Sequence, residues 1–106
     1  MDSREIFRQY IMGAMKWSSA IAKLEELLTD VSTLSKMQEA ARARYVIGFI
    51  RRVNQFKCGE ASEKDLCLNI RDVTLVMGRV KLTEKLYNVI SEYGSEFDLI
   101  CENDLQ

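Results

Sequence analysis

Histidine and proline are both absent from this 106-residue chain, and each absence excludes something. Without histidine there is no Ser–His or Cys–His nucleophile pair, no imidazole general base and no Cys/His zinc site. Without proline, long helices can run without interruption. Glycine occurs only five times, and no glycine-rich phosphate-binding loop is present.

Cysteine occurs three times, as Cys58, Cys67 and Cys101, with no Cys-x-x-Cys spacing. An odd number without that spacing favours free thiols in a reducing compartment over a disulfide framework. Cys58, beside Lys57 and Gly59 in a predicted loop, is the best candidate nucleophile, but no histidine is present to activate it. We therefore predict no catalytic residue, no cofactor and no metal site, and we expect a protein that is not an enzyme.

Long apolar runs are also missing. None approaches the roughly 20 residues that a membrane-spanning helix needs, so we expect no membrane partner. The short apolar segment 10–15 follows Asp2 and Glu5, at positions where a secretory signal carries basic residues. The 15 basic and 16 acidic side chains nearly balance, which argues against a dedicated polyanion binder. Together these features predict a cytoplasmic protein.

Apolar residues near the N-terminus recur alternately three and four positions apart. This spacing is typical of a helix that packs along a bundle, and it predicts a first helix over about 3–29. The apolar stripe consists of Phe7, Tyr10, Ala14, Trp17, Ile21, Leu24 and Leu28.

Two capping boxes, in which a serine is followed three residues later by a side chain that can return its hydrogen bond, predict the starts of the next helices. The predicted spans are about 35–57 and 63–78, and Gly59 is placed to end the first of them. The paired residues are Ser35 with Gln38 and Ser62 with Asp65.

The segment after residue 78 allows two interpretations. Its apolar residues share a face that would lie opposite the stripe of the third helix if the chain stayed straight. Either the chain breaks at 78–82 and Thr83 caps a helix over 83–93, which the sequence favours slightly, or one helix runs over 63–93 between two neighbours. An acidic tail, 95–106, follows with a short helical turn. We predict an all-α fold, a three- or four-helix bundle with a short C-terminal helical tail, as one domain over 1–106.

Charge is unevenly distributed. Residues 31–57 carry six basic side chains and one acidic, whereas after Lys85 there are five acidic side chains and no basic one. A helical wheel of the second helix puts Tyr45, Val46, Phe49, Val53 and Phe56 on one apolar face. The predicted basic face consists of Arg42, Arg44, Arg51 and Arg52.

This basic face has several interpretations. Arg44, Arg51 and Arg52 can contact phosphates as a nucleic-acid-binding row. Alternatively they form an ordinary solvated face, or they attract the acidic tail or an acidic protein partner. We favour these alternatives over the phosphate-contacting row. Arg42 falls near the middle of the apolar face. Its guanidinium must therefore extend to solvent, pair with a carboxylate of another helix, or lie in an exposed contact site.

Three apolar residues of the first helix, Ile11, Met12 and Met15, lie off its stripe. They predict either a second contact surface, used for a partner or for self-association, or simply a wide buried stripe. The length of this helix favours association, so a homodimer is plausible. We expect a small interaction protein, such as an adaptor, regulator, inhibitor or chaperone, that binds a protein partner. The alternative is a nucleic-acid-binding module that uses the basic second helix.

Overall fold

The computed structural model describes residues 1–77, which form four α-helices and, within that range, no strand. The predicted all-α bundle is confirmed. The predicted helix over 83–93 and the acidic tail 95–106 lie outside the described residues. The helices are α1 (Ser3–Ile11), α2 (Trp17–Glu26), α3 (Leu34–Lys57) and α4 (Glu63–Met77).

The predicted continuous helix over 3–29 is wrong, because the chain turns at residues 12–16, which we call the elbow. Gly13 has φ +77, a left-handed conformation that favours glycine. The Gly13 amide donates to the Tyr10 carbonyl at 3.1 Å, and the Ala14 amide donates to the Gln9 carbonyl at 2.9 Å. This pair of bonds is a Schellman motif, and it ends α1 after two and a half turns.

The other helix boundaries follow local chemistry closely. Ser62 and Asp65 exchange hydrogen bonds at 3.1 and 3.2 Å, so the capping box predicted for α4 is confirmed. Gly59, with φ +77, ends α3 as predicted. The predicted capping residue of α3, Ser35, is wrong: the cap is Thr33, whose hydroxyl accepts from the Lys36 amide at 3.2 Å, and the helix begins at Leu34, one residue before the predicted start.

Phe49, on α3, lies at the centre of the core. Its ring meets Phe7 edge-on, with centroids 5.8 Å apart, and Tyr10 in the same way at 6.3 Å. Apolar side chains from all four helices surround it, and α3 touches each of the others. The buried face of α3 lies further round than the helical wheel predicted, so Tyr45 is 49% exposed while Ile47 and Ile50 are buried.

Helices α3 and α4 run antiparallel. Arg52 hydrogen-bonds Asn69, whereas Asp72, one turn later on α4, lies across a groove from Ala41 and Tyr45, earlier on α3. The chain therefore leaves α4 beside the N-terminal half of α3. The elbow lies near the opposite end of α3, beside Asn54 and Lys57.

Candidate protein-binding surfaces

A groove opens where the elbow meets the C-terminal end of α3, and we call it the elbow groove. Its walls come from three elements that the Schellman turn brings together: the end of α1, the start of α2 and the last turn of α3. The groove is lined by Tyr10, Ile11, Met12, Gly13, Trp17, Asn54 and Lys57.

Two large apolar side chains on this groove are exposed. Met12 is 58% exposed and Trp17 is 52% exposed, whereas Ile11, at 3%, belongs to the core. Met15 is half-buried and packs against the core. The three residues that the sequence grouped together therefore separate: burial in the bundle is correct for Ile11, while Met12 is on the surface.

Trp17 is a surface residue that the sequence pattern placed wrongly. The alternating spacing put it on the core-facing stripe together with Ala14, yet both are exposed. The turn at Gly13 changes the direction of the helix axis, so positions after it no longer continue the face established before it. The one available signal was Gly13 itself, because a glycine inside a helix costs about 1 kcal/mol relative to alanine and often marks an end.

The elbow groove has a one-sided polarity. None of its lining side chains is acidic, Lys57 supplies a positive charge, and Asn54 offers both a donor and an acceptor. Burial raises the pKa of Tyr10 to about 12, so its hydroxyl stays protonated at neutral pH. The groove can therefore accept an apolar group against Met12 and Trp17 and a carboxylate beside Lys57.

The predicted basic face of α3 does not form a continuous row of available arginines. Arg42 donates to Glu39, one turn earlier on the same helix, at 3.0 Å. Arg52 donates to Asn69 and to Gln55, at 3.1 Å in each case. Both guanidinium groups are thus held by neighbours on α3 and α4.

The remaining two arginines differ from each other. Arg51 lies 3.6 Å from Glu25 of α2, in an ion pair whose two side chains are both more than half exposed. Arg44 is exposed and has no ion-pair partner among residues 1–77. It borders two shallow grooves that share Gly48, one toward α2 and one toward α4. Of the four arginines of the predicted basic face, three are therefore already engaged by other residues of the chain, and Arg44 alone has neither an ion pair nor a side-chain hydrogen bond among residues 1–77.

Arg42 belongs to a small polar cluster that joins the start of α1 to α3. Glu39 accepts from the Ser3 amide as well as from Arg42. Burial by itself raises the pKa of Glu39, but the hydrogen bonds from Ser3 and Arg42 outweigh it and hold that pKa below its ordinary value. Of the three interpretations offered for Arg42, pairing with a carboxylate is the nearest to the structure, but the partner is on α3 and not on another helix.

Several further expectations concern chemistry or location. Cys58 is exposed and free, but Cys67 is buried and disulfide-bonded, so the expectation of free thiols is wrong at Cys67. Across residues 1–77 no group of three or more acidic or cysteine side chains is placed to hold a metal ion. None of the described helices is long and apolar enough to cross a membrane. The cytoplasmic location stays a prediction.

Comparisons of this chain with models of protein families, with curated proteins and with solved structures give no match. A function for this chain must therefore be argued from the geometry of its surfaces.

Proposed function

We propose that this protein is a small, non-enzymatic interaction protein, an adaptor, regulator, inhibitor or chaperone, that binds a protein partner through the elbow groove. The observation that carries the proposal is the pair Met12 and Trp17, which are both more than half exposed and both line the same groove. Tryptophan is enriched among the residues that dominate binding energy, and methionine is enriched at interfaces.

Single exposed apolar residues are normal on soluble proteins and need no explanation. Met12 and Trp17 differ from such residues because they border a concave surface whose floor, Ile11 and Tyr10, is fixed in the core. The Schellman turn at Gly13 fixes the backbone between Met12 and the start of α2. A preformed apolar groove loses little conformational entropy on binding, which favours its use as a contact site.

Site-specific crosslinking followed by direct binding tests this proposal. A photo-crosslinking amino acid is placed at Met12 and, as a matched control, at Leu34, which is 71% exposed on the far end of α3. A partner protein that is crosslinked from position 12 and not from position 34 is then purified, and its binding to the parent chain is measured by titration. We expect Met12→Asp and Trp17→Asp each to weaken its binding at least about 10-fold, as loss of a central apolar contact does, and Leu34→Asp to leave it unchanged.

Equal binding by the parent and both elbow variants would overturn the proposal, and so would crosslinking from position 34 alone. Sedimentation of the full chain at micromolar concentration shows whether the partner is a second copy, as in the predicted homodimer. The alternative function, nucleic-acid binding by α3, has weaker support because Arg42 and Arg52 are already hydrogen-bonded within the chain.

A further inference from the structure

Tyr10 brings a hydrogen-bond donor to the floor of the elbow groove. Its ring packs edge-on against Phe49 in the core, and the residue as a whole is only 7% exposed. Its hydroxyl has no hydrogen-bond partner within residues 1–77, yet it is not one of the polar atoms that lie fully buried there without a partner. The hydroxyl therefore reaches solvent in the groove that Tyr10 lines. Buried tyrosines usually find a partner for this group, and a ligand in the groove can supply the acceptor.

Two further polar side chains of the groove are also uncommitted. Asn54 and Lys57 lie three residues apart in the last turn of α3, so they are neighbours on its surface. Asn54 is half-buried, and within residues 1–77 its backbone carbonyl accepts from the Cys58 amide at 3.1 Å while its side-chain amide bonds to no residue. Lys57 is exposed and has no ion pair in the same range. The groove thus presents several donors and no carboxylate.

This lack of a carboxylate distinguishes the elbow groove from two other grooves of residues 1–77. One of those is lined by Asp72 and the other by Glu25, each together with Arg44. The arginine in those grooves already has a negative charge beside it, whereas Lys57 has none among the side chains that line the elbow groove. Charge complementarity therefore favours an acidic ligand at the elbow groove more than at the other two.

We propose that the elbow groove binds an extended segment of the protein partner that carries a large apolar side chain and, within a few residues, an aspartate or glutamate. This inference rests on the proposed function and makes it more specific. The apolar side chain packs against Met12 and Trp17, and the carboxylate accepts hydrogen bonds from Lys57 and from the Tyr10 hydroxyl.

The side-chain amide of Asn54 indicates that the bound segment is extended. This amide offers both donors and an acceptor, which are the complements of a peptide C=O and N–H. Peptide units within a helix already bond to one another, whereas those of an extended segment are unpaired. An extended segment can therefore form backbone hydrogen bonds with Asn54 that a helix cannot form.

Selection from a peptide library tests this inference directly on the full-length protein. Random peptides of about 12 residues are displayed with fixed sequence at both ends, so that every carboxylate in the random region belongs to a side chain. The library lacks cysteine, because Cys58 is exposed and free, and tryptophan, because Trp17 is the only one of the chain. We expect the enriched peptides to carry an acidic residue close to a large apolar one. Selection on Lys57→Glu should no longer enrich acidic peptides.

The fluorescence of Trp17 then measures the affinity of the enriched peptides, synthesised with amidated C-termini. We expect Tyr10→Phe, which removes the hydroxyl and keeps the ring, to weaken binding about 10-fold, as loss of a hydrogen bond to a charged group does. Lys57→Gln should weaken it about threefold, since ion pairs at exposed positions are weaker. Lys64→Gln, at an exposed position on α4, is the matched control and should leave it unchanged. Replacing the acid of the peptide by its amide should weaken binding to the parent at least about 10-fold.

Several results would overturn the inference. They are enriched peptides without acidic residues, no enriched peptide whose binding Met12→Asp removes, equal affinity for the parent and for Tyr10→Phe and Lys57→Gln, and a helical circular dichroism spectrum of the bound peptide. The proposed function fails separately, if no partner is crosslinked from position 12. A crosslinked partner whose binding is unchanged by both Tyr10→Phe and Lys57→Gln would sink this inference and leave the proposed function intact.

Discussion

The elbow groove and the basic face of α3 lie on the same small bundle, but their side chains differ in whether the rest of the chain contacts them. On α3, Arg42, Arg51 and Arg52 each have an acceptor in a neighbouring turn or helix, so their charges are largely used within the chain. At the elbow, Met12 and Trp17 are exposed beside a groove that nothing in residues 1–77 fills. Side chains that have no contact within the chain are better candidates for contacts with a partner.

The difference has a physical origin in the length of the two elements. Helix α3 is long and has α2 and α4 on its flanks, so an arginine on it can reach a carboxylate or amide on a neighbour. Helix α1 has only nine residues, and the turn that ends it projects Met12 away from the core. An exposed apolar side chain cannot be stabilised in the same way by one neighbouring residue. Its stabilisation is proportional to the apolar surface area removed from water, and not to a single bond with a partner atom.

The largest expected effect separates the floor of the elbow groove from its rim. Ile11→Ala should lower the free energy of unfolding by about 2–4 kcal/mol, since it leaves a cavity in a packed core. Met12→Ala should change it by less than about 0.5 kcal/mol, since its side chain is exposed. Urea denaturation of the two variants beside the parent measures both. Equal losses would mean that Met12 is part of the core and that the elbow groove has no apolar rim.

Local signals predicted well the features that are themselves local. The capping box of Ser62 and Asp65 and the terminating glycine Gly59 each depend on residues within one turn, and the structure has both. The all-α class followed from apolar periodicity over most of the chain. The break at Gly13 was missed because the three-and-four spacing continues across it, so periodicity alone gave no sign of a change in direction.

The sites were less predictable, because they depend on which elements meet. Ile11 is buried at the floor of the elbow groove and Met12 is exposed at its rim because α3 packs against α1. The sequence does not show that packing. The engagement of Arg42 with Glu39 was within reach, since the two are three residues apart on one helix. The contact of Glu39 with Ser3 spans 36 positions and needs the tertiary fold.

The second prediction concerns the polar cluster of Ser3, Glu39 and Arg42, which joins the start of α1 to the basic face of α3. Glu39→Gln should cost about 1–2 kcal/mol at pH 7, because the Ser3 amide and Arg42 lose a charged acceptor. The pKa of Glu39 is lower in the folded chain than in the unfolded one. Its stabilisation is therefore complete above the unfolded pKa of about 4.3 and is lost as the pH falls through the folded value.

Denaturation of the parent and Glu39→Gln at several pH values from neutral to acidic tests this dependence. The difference between the two proteins should shrink as the pH falls. Glu26→Gln, at an exposed position on α2, should show no such difference at any pH. A Glu39→Gln penalty that stays constant on acidification would show that the carboxylate charge contributes nothing.

The third prediction uses one glycine from each region. Gly13→Ala should destabilise the protein by about 1 kcal/mol, because alanine is strained at the positive φ that ends α1. Gly48→Ala should instead stabilise it by about 0.5–1 kcal/mol. Gly48 lies inside α3, and beyond its chain neighbours and the nearby helix backbone an added Cβ there would meet no atom within 4 Å. Thermal denaturation of both variants checks the signs, and a stabilising Gly13→Ala would contradict the description of the elbow.

The smallest expected effect is on the basic face, where it decides between the two candidate functions. Arg44→Glu and Arg51→Glu should each change the free energy of unfolding by less than about 0.5 kcal/mol, since both side chains are exposed and the Arg51–Glu25 pair is open to solvent. If α3 bound nucleic acid, the same changes would weaken that binding strongly. They would also reduce its salt dependence by about one unit of log–log slope for each phosphate that the arginine no longer neutralises.

We expect only feeble binding of RNA or DNA by the parent at physiological salt, and little change in either variant. A filter-binding titration of the full chain at low and physiological salt measures this, with Lys64→Glu as the charge-matched control. Submicromolar binding that Arg44→Glu abolishes and Lys64→Glu preserves would show that the one uncommitted arginine of α3 is enough to organise a phosphate contact. It would make the basic face, and not the elbow groove, the functional surface.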